Sequence, residues 1–226
     1  FTNDGHSGKL PTGNDAYTKA AEYARLAIDT AEELAGATLM SEYEWTNPSS
    51  GFNTVVKSWL WATVQSTDTV MSNLYAFAAH MCPEASYGYG PLACPGVSET
   101  MYNRLQNSDF RKKIIAGPDK KYADFASYTS MGQAEWEELA WRAPYTNFKF
   151  RPNMGERVDY MTANAISLPI MRLEELYFIE MEALCHTGGA AQTLFNEFIA
   201  TRVSGYVSQG KLLDEIIFHK QVEFWG

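Results

Sequence analysis

The sequence predicts a mainly α fold: tetratricopeptide-like helix pairs, long irregular loops and a few short strands. Three observations predict it. Apolar residues recur at helical spacing near the start of the chain and again through its last third. The middle is broken by Gly, Pro and Asn clusters, and one short run there reads as β. The chain divides accordingly into a loop and repeat-type helix over 1–40, a variable loop-rich part over 41–168, and C-terminal helices over 169–226, all in a single region.

Residues 1–13, rich in Gly, Ser, Thr, Asn and Pro, read as a loop. Asn14 and Asp15 offer an N-cap for a helix from about residue 16 to 35. Its apolar side is Tyr17, Ala20, Ala21, Ala24, Ala27, Ile28 and Ala31, a small-residue stripe that lets another helix approach closely. That is the texture of a repeat helix, with partners expected upstream of this chain. A turn at Asn47-Pro48-Ser49-Ser50-Gly51 leads to a β-like run, Val55 to Ala62, in which Trp59 and Trp61 are two apart and share a strand face, with burial expected. Tyr75, Phe77 and Met81 read as core. Met81 to Gly96 is irregular, and Met101 to Ile115 opens as a helix. Residues 117–130 are polar loop, and a short helix at 131–142 carries Trp136 and Trp141. Long irregular connections of this kind are uncommon in compact domains unless they serve function.

The last third is clearest. A helix from about Leu173 to Cys185, a turn at Gly188-Gly189, and a second helix from about 190 to 203 make an antiparallel hairpin, packed through Leu176, Tyr177, Leu184, Leu194, Phe195 and Phe198. A third helix begins near Leu212.

Composition narrows the function. The net charge of −9 and the lack of a Lys/Arg stripe set nucleic acid aside, because a phosphate binder needs a positive footprint. No apolar run approaches the roughly 20 residues that cross a bilayer. Phe1 in place of Met, and a helix still running at Glu223-Phe224-Trp225, read as a fragment of a longer protein, with any signal or lipid anchor upstream. Cys82 and Cys94 bracket a loop and are either a bridge or two unrelated thiols. Their spacing, without a His partner, is poor for zinc, and no metal or cofactor is expected.

Two constellations bear on chemistry. Glu174, Glu175, Glu180 and Glu182 invite a glycosidase reading, since paired carboxylates can act as acid and base. Glu175 and Glu182 share a helix face with Arg172 nearby, so an ion-pair network that fixes packing is the expectation, and no catalytic residue is assigned. The aromatic share is high at 14%, and rings also stack on the C–H face of sugars. Tyr87 and Tyr89, set among glycines in a loop, together with Trp136 and Trp141, are the candidate ligand-binding residues.

Taken in order, several segments resemble the SusD/RagB family of surface nutrient-capture lipoproteins. The segments are Gly51-Phe52-Asn53 followed by Trp59-Leu60-Trp61-Ala62, then Asp109-Phe110-Arg111, Phe148-Lys149-Phe150, the set Pro169, Arg172, Glu175 and Met181-Glu182-Ala183, Asn196 with Arg202, and a closing Glu223-Phe224-Trp225-Gly226. The sequence departs from the pattern at Met181, where Ala is usual, and at His219-Lys220-Gln221, where an acidic-Arg-Arg run is usual. The family's earlier helical repeats are missing. The resemblance implies non-catalytic capture of oligosaccharide or polysaccharide on the outer-membrane surface and delivery to a TonB-dependent, SusC-like transporter, with membrane contact only through a lipid anchor outside this chain. It assigns the shared motif residues to structure, not to ligand. The alternative is a helical-repeat scaffold for a protein or peptide.

Overall fold

The structure is a computed structural model that describes residues 12–69, 77–119, 121–138 and 143–226. In chain order the described helices and strands are α1 (Asn14–Ala35), α2 (Glu42–Thr46), β1 (Trp59–Thr63), α3 (Phe77–Met81), α4 (Gly90–Ala93), α5 (Glu99–Arg104), α6 (Tyr122–Phe125), α7 (Gln133–Glu138), α8 (Tyr160–Ala163), β2 (Leu168–Arg172), α9 (Leu173–Thr187), α10 (Ala191–Ala200) and α11 (Leu212–Glu223). The fold is mainly α, as the periodicity predicts. Three-residue to five-residue 3-10 turns punctuate the middle.

Helix α1 starts at Asn14, with Gly13 rather than Asn14 or Asp15 in the cap position. It stops at Gly36, whose φ of 61° is left-handed backbone that glycine adopts without Cβ strain. Its alanine stripe finds a partner within this chain, contrary to the expectation. Ala27, Ile28 and Ala31 pack on Leu173, Leu176 and Tyr177 of α9. An Arg25–Glu180 ion pair at 2.6 Å and the Tyr177 hydroxyl donating to Glu32 at 2.8 Å flank that seam. Small side chains let the two helices lie along each other.

Helix α9 is therefore central, with α1 on one side and the hairpin partner α10 and the closing helix α11 on the other. Phe178 and Met181 meet Leu194, Phe195, Phe198, Ile199 and Ile216 in a second cluster, with Tyr177 and Leu184 at its margin. Leu176, expected in the hairpin seam, turns instead to α1. The helix begins at Leu173, directly after β2 ends at Arg172. Leu176 lies three residues on, at 100° per residue, so it shares the side of Leu173 that meets α1. The helix ends at Gly188, φ 73°, and the connection to α10 is short enough to force an antiparallel pair.

Strands β1 and β2 pair antiparallel, Trp59 opposite Arg172 and Thr63 opposite Leu168, with an irregularity between Trp59 and Trp61. That break separates the two rings. Trp59 is buried and Trp61 is 64% exposed, so they do not share a buried face. The largest core cluster joins Trp45, Phe52, Trp59, Phe110, Phe125, Trp136, Phe148 and Phe150 beneath the irregular segments. Phe77 and Met81 pack against it as expected, while Tyr75 lies outside the described residues. The stretch 117–130, expected as polar loop, contains α6, whose Phe125 is buried in this cluster.

Candidate ligand-binding surface

Three irregular segments, 82–94, 129–138 and 151–164, are clamped together at Glu84. Its carboxylate pairs with Arg151 Nη1 at 2.7 Å, accepts the Ser130 N–H at 2.9 Å and bonds the Thr129 hydroxyl. Its carbonyl accepts from Arg157 Nε at 2.7 Å, and the same guanidinium pairs with Glu135. The Arg157 carbonyl in turn takes the Ser86 N–H at 2.9 Å. Glu84 and Arg151 are both fully buried, so the pair ties the loops to the core and not to solvent.

On this base the two glycines around Tyr89 decide where its ring goes. A Cβ on Gly88 would sit 2.5 Å from the Ala79 carbonyl oxygen, and one on Gly90 2.5 Å from that of Cys82. The loop backbone is thus pressed flat on α3, and the Tyr89 N–H donates to the Ala79 oxygen at 2.7 Å. With no space beneath it, the Tyr89 ring points outward, 55% exposed. It stacks on His80 with centroids 5.6 Å apart and planes 18° from parallel. Tyr87 is different. It is half-buried against the core, its hydroxyl donates to Asn164 Oδ1 at 2.8 Å, and its ring meets the partly exposed Tyr160 edge-on at 6.3 Å. Burial pushes its phenol pKa up from the ordinary value. Cys82 and Cys94 are separate, buried thiols.

Trp136 sits in the core, 6% exposed, stacked on Phe148 at 5.5 Å and beside Phe125 at 5.0 Å. What little of it is exposed borders two surface clefts. Trp141 lies outside the described residues. The structure thus brings Tyr87 and Tyr89 onto one loop and sets Trp136 inside. His80 and Tyr160 join this aromatic surface without having been singled out. The glycines around Tyr89 were the one usable signal for His80, since a flattened loop must lie on whatever helix precedes it.

Three of the four carboxylates read as acid–base candidates are held in ion pairs. Glu174, not Glu175, is the buried partner of Arg172 at 3.2 Å and of Arg202 at 3.1 Å. Glu180 pairs with Arg25, and Glu182 with Lys220 at 2.9 Å. Glu175, half-buried, borders a cavity of about 330 Å³ beside Lys149, Phe150, Ile170 and Arg172. The Arg172–Glu174 pair belongs to a larger buried network. Glu223 receives Arg111 at 3.0 Å, Arg172 at 3.1 Å and Arg202 at 3.2 Å, and Arg111 pairs with Asp109 at 2.8 Å. Burial pushes the Glu223 carboxyl up, but the three guanidiniums outweigh it and hold it well below the usual carboxylate range.

His219 completes that network as a neutral acceptor. Its Nδ1 lies 2.7 Å from Arg111 Nη2, a donor, so the lone pair must be on Nδ1 and the proton on Nε2. Burial first, then Arg111 and Arg104, push its pKa down to about 2. The unfolded chain therefore binds more protons than the folded chain between about pH 2 and 6.5, and stability falls as pH drops below 6.5. At about 1.4 kcal/mol per pH decade, acidification from pH 6.5 to 4 should remove about 3 kcal/mol of unfolding free energy. His219→Asn, which keeps an acceptor but cannot titrate, should flatten that slope in urea melts. An unchanged slope would remove His219 as its source.

No protein-family model and no curated protein matches the chain. Solved structures do. A SusD-like carbohydrate binding protein from Bacteroides vulgatus ATCC 8482 aligns over 97% of this chain and 45% of its own, with TM-score 0.58 and 19% identity. A SusD superfamily protein from Bacteroides thetaiotaomicron VPI-5482 aligns over 92% of this chain and 47% of its own, with TM-score 0.52 and 19% identity. Surface glycan-binding protein A from Bacteroides thetaiotaomicron, in complex with laminarihexaose, aligns over 92% and 49%, with TM-score 0.53 and 17% identity. The chain spans less than half the length of each of these, and within that span it has the SusD-like fold.

Proposed function

We propose that this chain binds oligosaccharide at an outer-membrane surface without transforming it, and hands it to a TonB-dependent, SusC-like transporter. The observation that carries the reading is the fold, shared over 92% of the chain with a surface glycan-binding protein whose structure holds laminarihexaose. The non-catalytic part is supported by the carboxylates: Glu174 is held by Arg172 and Arg202, Glu180 by Arg25 and Glu182 by Lys220, so each is engaged in an ion pair. The ligand-facing rings are Tyr89, stacked on His80, and Tyr87 with Tyr160. Trp136 contributes at most its edge, because its faces are covered by core rings.

Tyr89→Ala should weaken a bound oligosaccharide by about three- to tenfold, the ~0.5–1.5 kcal/mol of a single ring contact. Its melting temperature should hold, since the ring is more than half exposed. Tyr87→Ala should lose affinity and also stability, because it removes the hydroxyl that reaches Asn164. Parental affinity in both variants, measured by calorimetric titration, would move the binding surface elsewhere.

The alternative, a helical-repeat scaffold for a protein, is favoured by one feature. Helix α1 leaves Tyr23, Leu26 and Leu34 exposed at 67%, 62% and 83%, on the side away from α9. Tyr23→Glu with Leu34→Glu should leave saccharide binding intact. Loss of saccharide affinity in that double variant would place the sugar on α1.

A further inference from the structure

A second concavity, distinct from the Tyr89 loop, lies where the chain turns after the buried Asp109–Arg111 pair. It encloses about 650 Å³, within the ordinary range of small-ligand sites, and is bordered by Tyr102, Lys112, Lys113, Asp119, Lys121 and the edge of Trp136. Its three lysines stand against two aspartates, Asp119 and Asp124, a net positive wall that is unexpected in a chain of net charge −9.

The three lysines are not equivalent. Lys113 reaches away to Glu42 at 2.6 Å, and Lys121 makes a loose, exposed contact with Asp119 at 3.5 Å. Lys112 is held in place, donating to the Leu105 carbonyl at 2.9 Å and to Asn107 Oδ1 at 3.0 Å, with its ammonium 4.5 Å from the Tyr102 ring centroid. All of these partners are neutral. Among the described residues no carboxylate stands within ion-pair distance of Lys112; burial lowers its pKa and outweighs the longer-range attraction of Asp109, so the ammonium is partly desolvated. A cation fixed by neutral acceptors, at the rim of a cavity and short of a counter-charge, gains most from an incoming anion. The flat Tyr102 face is taken by that ammonium, and its ring also meets Tyr145 at 5.1 Å, so the site selects by charge more than by stacking.

We propose that this cleft is a subsite for an acidic sugar, with the carboxylate or sulfate of the saccharide paired to Lys112 and its hydroxyls met by Asn107 and Asp119. The proposal rests on the oligosaccharide reading above and adds the charge class of the ligand. The rest of the acidic surface would repel such a ligand, so it would concentrate here.

Three probes separate the possibilities when titrated into the 226-residue chain at 0.15 M salt. These are a galacturonic-acid trisaccharide for carboxylate, a sulfated galactan tetrasaccharide for sulfate, and laminarihexaose as a neutral control. At least one acidic probe should bind ten or more times tighter than the neutral one, and which of the two does so assigns the anion. Lys112→Met should remove that preference at least tenfold, Lys112→Arg should keep most of it, and Lys19→Met on α1 should change nothing. Equal affinity for neutral and acidic probes, or Lys112→Met binding like the parent, overturns the acidic subsite and leaves the oligosaccharide reading standing. No binding to any saccharide overturns both.

Discussion

Glu223→Gln should lower the free energy of unfolding by about 3–5 kcal/mol. The carboxylate is fully buried and faces the guanidiniums of Arg111, Arg172 and Arg202, all within 3.2 Å. The amide is nearly the same size, so packing is preserved. Its charge is not, and the remaining buried anions of the cluster, Asp109 and Glu174, are left to balance three guanidiniums and the nearby Lys149. The Gln nitrogen would also direct a donor at donors. Taking the charge from one partner of a buried network is costly because the others stay desolvated and unmatched. Glu182→Gln provides the contrast. Its pair with Lys220 is over a third exposed on both sides, and the loss should stay within about 1 kcal/mol. Urea unfolding of both variants checks the difference. Two similar, small losses would mean that the network contributes specificity and not stability.

Phe195→Ala should cost about 3–5 kcal/mol, the range for deleting a fully packed aromatic. The ring is 1% exposed, sits between α9 and α11, and meets Tyr206 edge-on at 5.6 Å and His219 at 5.8 Å. Leu184→Ala, at the partly buried margin of the same cluster, should cost less. Calorimetry or denaturant melts rank the two, and a loss within ±0.5 kcal/mol for Phe195→Ala would contradict the packing described.

The helices were the legible part of the sequence because each covers a core with one stripe. Ala24, Ile28, Phe195 and Phe198 keep a 3.6-residue period that survives whatever the loops do. What failed was the choice of neighbour for each side of the helix. Glu174, not Glu175, meets the guanidiniums, and Leu176 faces α1 with Leu173, because the sequence does not say which element lies on which side of α9. The irregular pairing at Trp59 and Trp61 is a register event between distant strands, and no local pattern announces it. The aromatic surface was half legible. The glycines around Tyr89 marked a ring with no core to enter, whereas Trp136 carried no sign of its stacking on Phe125 and Phe148, which are brought in from separate segments. Neutral His219 and the unmatched Lys112 were not visible at all, because each depends on partners supplied by other elements.

The most direct test of non-catalytic saccharide capture is equilibrium dialysis of oligosaccharides against the purified chain, reading both the amount retained and the length of the sugar recovered. The expected result is saturable retention of at least one oligosaccharide, weakened in Tyr89→Ala, with every molecule recovered at its original length. A folded chain that retains none, or that returns shortened sugar, would contradict it.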